Sequence, residues 1–192
     1  MNKIAADTRA AIDKAKSSTA AGDIVVEAVS STSINAEVSA SAISVAASTT
    51  SDSKSISVGL SLSRNDIDST VESFIAATSS TTQANRPTIT STSGEIRIGA
   101  WRTAEIIANG TATAVAIAAS PKGGPAVAGG GTLAFNRISG NTDAFARQVI
   151  LAAKGEDDGS GDVTVRAQDE AEIQAYLRSI AAAVSVGGQD RK

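Results

Sequence analysis

The side chains that could bind a metal ion are concentrated in one acidic loop. Glu156, Asp157 and Asp158 are followed by Asp162 in the glycine-rich stretch 155–162. Ca²⁺ prefers several carboxylate and carbonyl oxygens as ligands, so these four acids form the candidate metal site. The stretch lacks the spacing of an EF-hand and the Gly-Gly-x-Gly-x-Asp repetition of a calcium β-roll. That difference favours a solvated acidic turn, and calcium is the only cofactor that the sequence suggests.

A single tryptophan, Trp101, is the second candidate site. An exposed indole can stack on a sugar ring or anchor a protein partner. The Ser/Thr-rich segment 78–93 could contribute to the same surface, which would make the chain a glycan- or protein-binding module. The competing interpretation is that the indole is a lateral cap covering the wall of the fold.

Composition argues against catalysis and against nucleic-acid binding. Histidine is absent, which removes the commonest general base and metal ligand at neutral pH. The formal net charge is −3 and the basic residues form no cluster, so we expect no neutralisation of nucleic-acid phosphates. No stretch reaches the roughly 18 apolar residues that cross a bilayer, so we expect no membrane insertion. Few aromatics are present to line a sugar cleft, and the chain is predicted not to be an enzyme.

The candidate residues are carried by a tandem repeat. A glycine, an acid and then apolar residues at alternate positions occur three times, at 22–28, 94–100 and 161–167. In the alignment of these copies, Trp101 stands where the others have Val29 and Gln168. Three copies in register predict one structural unit that is built three times.

A second motif, Asn-x-Ile, marks the repeat boundaries. It begins at Asn2, Asn65 and Asn136. The chain is therefore divided into repeat 1 (2–64), repeat 2 (65–135) and a partial repeat 3 (136–192), all within one elongated domain spanning 1–192. Repeat 1 starts directly after Met1 and repeat 3 breaks off near Gly188, so we expect this array to be part of a longer one.

Within each repeat the pattern is mostly that of β-strands. Apolar residues alternate with polar ones from Ile24 onward, which indicates a half-buried strand. The alternation changes parity near Ala42 and Ile43, which predicts a bend or bulge there. It resumes with the apolar set Ile56, Val58, Leu60 and Leu62. Segment 4–16 has helical propensity, but its counterpart in repeat 2 is β-branched and aromatic, so we favour a strand or mixed structure.

Four segments are predicted to connect the strands. Segments 49–54 and 120–125 are turns, rich in polar residues, Gly and Pro. Segments 78–93 and 154–160 are insertions and should be surface excursions.

The fold class is therefore all-β, and a β-solenoid of about three tandem repeats explains it best. A repeat of short strands cannot bury its apolar face alone, and stacking solves that problem. We expect coils of about 20 to 24 residues, three per repeat, forming a rod. The alternative is antiparallel: hairpins turning at 49–54 and 120–125, stacked as a sandwich or prism.

The succession of motifs resembles a known class of protein. Asn-x-Ile, the glycine-acid strand and an Ala/Ser/Val strand such as 41–47 are similar to the tandem modules of giant repetitive bacterial surface proteins, of the large adhesin or haemagglutinin type. The resemblance covers essentially the whole chain. It implies an extracellular or cell-surface stalk or adhesive segment of a larger exported protein, without catalytic residues. The implied partners are neighbouring repeats, and a cell-surface glycan or protein. The stacked architecture adds a further partner, because free strand edges or coil ends invite self-association.

Overall fold

The protein is all-β. The computed structural model describes residues 1–50, 52–78, 82, 85–155 and 161–187. Ten strands are found in these ranges: β1 (Asn2–Ile12), β2 (Ser18–Ala20), β3 (Ile24–Ala47), β4 (Ser55–Ala76), β5 (Thr88–Ser91), β6 (Ile96–Ser120), β7 (Ala126–Ser139), β8 (Thr142–Arg147), β9 (Ile150–Ala153) and β10 (Val163–Gly187). None of the described residues forms a helix with the length and apolarity needed to span a bilayer.

The strands form three parallel sheets that the chain visits in turn. The first sheet contains β1, β4, β7 and β8, the second contains β3, β6 and β10, and the third contains the short strands β2, β5 and β9. Coil 1 is β1–β3, coil 2 is β4–β6 and coil 3 is β7–β10. All strand pairs in the described residues are parallel. The β-solenoid prediction is confirmed, and the antiparallel alternative is wrong.

Each repeat supplies the length of a single coil, with the repeat boundaries at Asn65 and Asn136 lying inside β4 and β7, so the prediction of three coils per repeat is wrong. Ile24, Ile96 and Val163, which follow the three glycine-acid pairs, lie side by side in the second sheet. Asp23 and Glu95, which are equivalent, are 72 residues apart. The coils are long because the alternation continues through strands such as β6, of 25 residues. With only three coils, the molecule is a long, flat slab and not a rod.

The core lies between the first and second sheets, and it narrows along the strands. Near the third sheet it is filled by branched side chains, with Ile75 and Ile96 fully buried. A second cluster around Ile67 and Ile106 continues it. Towards the opposite end of the slab the inward residues become alanine, serine and glycine, including Ala116 and Ser55. We call that end the thin end.

At the thin end two predictions are wrong: the bulge near Ala42 and Ile43 is absent, and the apolar residues of the alternation do not point into the core. β3 runs through Ala42 and Ile43 in unbroken register with β6. Ile43 points outward and is 74% exposed. The side chains of Ile56, Val58, Leu60 and Leu62 also point outward and are exposed. The residues that alternate with them along β4 and point inward are serines and Gly59.

The inward side chains at the thin end are small because the two sheets approach each other closely. The hydroxyl of Ser57 donates to the carbonyl oxygen of Ala42 across the core at 2.8 Å. A Cβ added at Gly59 would lie 2.7 Å from the carbonyl oxygen of Thr113. Large side chains cannot enter this space, so they occupy the outer face. Alternation thus predicted the strand but not which of its faces is internal.

The connecting segments agree in part with expectation. Segment 4–16 is a strand at its start, since β1 pairs with β4. Segments 49–54 and 120–125 join the second sheet to the first and are not hairpin turns. The predicted surface excursion 78–93 contains β5, whose Ile89 is buried in the core. Most of segment 154–160 lies outside the described residues.

Candidate functional site

The predicted calcium site is only partly within the described residues. Glu156, Asp157 and Asp158 lie outside them. Asp162 is exposed, and its backbone carbonyl accepts a hydrogen bond from the amide of Ile96 at 2.9 Å. Among the residues that the structure describes, no group of three or more acids is placed to hold a metal ion. Calcium binding stays a prediction.

Asp23 and Glu95, the acids of the first two copies of the glycine-acid motif, make contacts that connect coils 1 and 2. The Oδ1 atom of Asp23 accepts a hydrogen bond from the backbone amide of Glu95, one coil further on, at 2.9 Å. A Cβ at Gly94 would lie 2.5 Å from the same oxygen, so glycine leaves room for this contact. Arg97 lies 3.7 Å from Asp23 and 4.0 Å from Glu95, which offsets the repulsion between the stacked acids.

Trp101 lies on the outer face of β6 and is half-buried. Its indole covers Gly99, because a Cβ at Gly99 would overlap the Cη2 and Cζ3 atoms of the ring. Gly99 is buried although it points outward. This packing favours the lateral-cap interpretation, since one face of the indole is used within the molecule. Partner binding through Trp101 stays a prediction.

The Asn-x-Ile motif forms a side-chain ladder along the stack. Asn2 donates its amide to Oδ1 of Asn65 at 2.9 Å, and Asn65 donates to Oδ1 of Asn136 at 2.8 Å. Asn65 is 1% exposed. Ladders of identical amides are favourable where parallel strands stack in register, since each amide both donates and accepts. The sequence displayed this motif, and its ladder geometry follows once the repeats are parallel.

A buried arginine joins coils 2 and 3 and was not anticipated. Arg102 makes a bidentate contact with Asp169, from Nε at 2.9 Å and from Nη2 at 2.7 Å. Its Nη1 donates to the backbone carbonyls of Ser69 and Ser139 at 3.1 and 2.8 Å. Its side chain is 5% exposed. One sequence signal could have revealed this burial: Arg102 is a charged residue at a position where the alternation predicts an inward-facing apolar side chain.

Two phenylalanines form a second ladder on the outer face of the first sheet. The rings of Phe74 and Phe145 stack with centroids 4.8 Å apart and planes 5° from parallel. The guanidinium of Arg9 lies 4.5 Å from the Phe74 centroid, and that of Arg147 lies 4.7 Å from the Phe145 centroid. Arg9 also pairs with Glu72 at 3.0 Å. The aromatic stack is therefore covered by a cation at each end.

The outer faces of the thin end are apolar and exposed. On the first sheet, Leu60, Leu62, Leu133 and Phe135 form a stripe. A shallow groove with a volume of about 500 Å³ lies beside it and also contains Arg64 and Arg137. Exposed apolar stripes of this kind often mark contact surfaces.

Taken together, these features bind the coils to one another and leave contact surfaces on the outside and at the coil ends. No protein-family model matches the chain, and neither the curated proteins nor the solved structures contain a significant match to it.

Proposed function

We propose that the chain is a non-catalytic structural segment of a large bacterial cell-surface protein, serving as a stalk or as a contact surface. The observation that carries this proposal is the in-register parallel stacking of the three repeats, one coil per repeat. Such an array extends by adding identical units, as a spacer requires. The resemblance of the motifs to adhesin-type modules supports the same role.

The contacts between coils support a load-bearing role. The asparagine ladder, the phenylalanine stack and the Arg102–Asp169 pair each run along the stacking axis. These side-chain contacts add to a backbone ladder that is 25 residues long between β6 and β10. A stack held in this way resists separation of its coils, because many hydrogen bonds must break together.

Surface labelling tests the proposed location. Antibodies raised against the folded chain should label intact cells of the source organism, and a short protease treatment of those cells should remove the label. An antibody against a cytoplasmic protein serves as the control and should label only permeabilised cells. Labelling by the first antibody only after permeabilisation would contradict a cell-surface role.

A further inference from the structure

The two ends of the stack present equivalent strands with open edges. β3 in coil 1 and β10 in coil 3 are the outer strands of the second sheet, and within the described residues each pairs with β6 on one side only. Their lengths are 24 and 25 residues. Both follow β6 in the same direction and in one common register. An open edge of this length is a template for another strand.

We propose that coil 1 of a second copy of this chain stacks on coil 3, continuing the parallel register from one molecule to the next. β3 of the second copy would pair with β10, and its β1 would pair with the end of β7, from Asn136 onward, and with β8. The arrangement is head-to-tail and can repeat indefinitely. This inference rests on the structural role proposed above, and it names the partner as the same chain.

The open coil ends contribute to an exposed surface that is larger than that of a compact globule. The accessible area of the molecule is 11380 Å², whereas a compact monomer of 19.2 kDa would expose about 8,400 Å². Coil 1 presents the second sheet over about 80 Å, through the 24 residues of β3, and the first sheet over only about 35 Å, through the 11 residues of β1, so the junction could bury on the order of 1,000 Å² per copy. That exceeds the roughly 800 Å² per partner of a standard stable interface.

Inward side chains of coil 3 are partly exposed, and coil 1 of a second copy would cover them. Val165 and Ile173 point into the core, yet they are 46% and 47% exposed. The equivalent residues of coil 2, Ile98 and Ile106, are 1% and 0% exposed. The difference arises because β6 lies between β3 and β10, whereas β10 has a neighbour on one side only within the described residues. Stacking in register would place Val26 and Ile34 of the second copy over these two side chains.

The asparagine ladder would also continue. Asn136 accepts from Asn65, and its own amide makes no donation to another described residue. Asn2 donates to Asn65 through its amide, and its Oδ1 atom accepts from none of the described residues. Continued register places Asn2 of the second copy next to Asn136. The new hydrogen bond would have the same direction as the two that exist, which favours head-to-tail over head-to-head stacking.

Charges across the proposed junction are complementary at two ladder positions. The register would place Glu27 of the second copy beside Arg166, and Arg9 of the second copy beside Asp143. Two like pairs also arise, Arg137 with Lys3 and Asp162 with Asp23. Pairs of like charge also occur between coils 2 and 3 within the molecule, at Glu72 with Asp143 and at Glu105 with Glu172.

Charge reversal at one position tests the geometry. Arg166→Glu and Glu27→Arg each place like charges at the junction, and sedimentation velocity over a concentration series at low salt measures the association. We expect each variant alone to require about tenfold higher concentration than the wild type to associate. An equimolar mixture should restore association, because alternating copies again place Glu beside Arg at every junction.

Lys54→Glu is the control for Arg166→Glu, since it changes the net charge by the same amount but lies in the turn between β3 and β4. Circular dichroism should show that all variants fold. A wild type that stays monomeric up to about 1 mM would overturn the proposal, as would a mixture that associates no better than its components. Because surface labelling does not depend on self-association, failure here leaves the proposed cell-surface role standing, and failure of the labelling leaves this junction standing.

Discussion

Asn65 is enclosed so completely that its amide depends on the asparagines of the neighbouring coils. It accepts from Asn2 and donates to Asn136, and it is 1% exposed. Arg102 is in a comparable position, since its charge is balanced by Asp169 and its Nη1 atom donates to two backbone carbonyls. A buried polar group is costly when its partner is lost, because water cannot replace the hydrogen bond. These two residues should therefore be sensitive to substitution.

Asn65→Ala should lower the free energy of unfolding by about 2 kcal/mol, because it removes two hydrogen bonds of the ladder and the buried side chain that makes them. Urea denaturation followed by circular dichroism measures this change. Asn109→Ala is the matched control, since Asn109 lies on the outer face of β6 and should change stability by less than about 0.5 kcal/mol. Equal effects of the two substitutions would contradict a role for the ladder.

Arg102→Ala should cost about 3 kcal/mol, because it removes a bidentate ion pair and takes a donor away from the buried carbonyl of Ser69. The half-exposed Asp169 can regain water, which limits the loss. Arg97→Ala is the control, since Arg97 makes only long contacts with exposed acids and should cost less than about 1 kcal/mol. Thermal unfolding of both variants shows whether Arg102 stabilises the fold more than an exposed arginine does.

Gly99→Ala should displace the indole of Trp101 from the wall of the solenoid, because the new methyl group would occupy the place of the ring. Trp101 is the one tryptophan of the chain, so its fluorescence emission should shift to longer wavelength as the ring becomes exposed. Gly129→Ala has no atom near its added methyl group and should leave the emission unchanged. An unshifted spectrum for Gly99→Ala would exclude the lateral cap and strengthen the alternative of a binding surface.

At the scale of single elements, β4 shows how one strand serves two environments. Its first half has serines and Gly59 on the inner face and aliphatic side chains on the outer face, and its second half buries Ile67 and Ile75. The change follows the spacing of the two sheets, which is narrow at the thin end and wide near the third sheet. Serine suits the narrow part, because its hydroxyl can bond a carbonyl of the opposite sheet.

Gly59→Val should destabilise the fold by about 2 kcal/mol, because the added side chain would press on the backbone of Thr113 and force the sheets apart. Val58→Thr is the neighbouring control, since Val58 points outward and threonine keeps its shape; it should be nearly neutral. Chemical denaturation of both variants measures the difference. If Gly59→Val were as stable as the wild type, the close approach of the two sheets would be wrong.

At the scale of the whole molecule, the long dimension runs along the strands and not along the stack. A strand of 25 residues extends about 80 Å, whereas three coils rise about 15 Å. The two main sheets, about 10 Å apart, set the remaining dimension. The result is a slab whose two broad ends are strand edges.

Small-angle scattering extrapolated to zero concentration should give a radius of gyration of about 25 Å for this slab. A compact globule of the same length would give about 16 Å. The extrapolation is necessary because stacking of copies would raise the value at higher concentration. A value near 16 Å in dilute solution would contradict the extended coil.

The sequence by itself determined the repeat, the strand content and the equivalence of the three copies. Asn2, Asn65 and Asn136 could be aligned by inspection, and residues that are equivalent in stacked repeats must lie side by side. The parallel solenoid follows from that equivalence, because identical segments bury the same faces when they stack. Alternation over the glycine-acid strands was sufficient to predict strands there.

Only the tertiary structure decided the size of the coil, the inner face at the thin end and the contacts of Arg102. Coil length depends on where the chain turns, and the weak turn signals at 49–54 and 120–125 do not distinguish an arch from a hairpin. The inner face at Ile56 depends on the distance to the opposite sheet, which no local pattern contains. Burial of Arg102 requires Asp169, 67 residues away, and its cost is offset only when the coils are stacked.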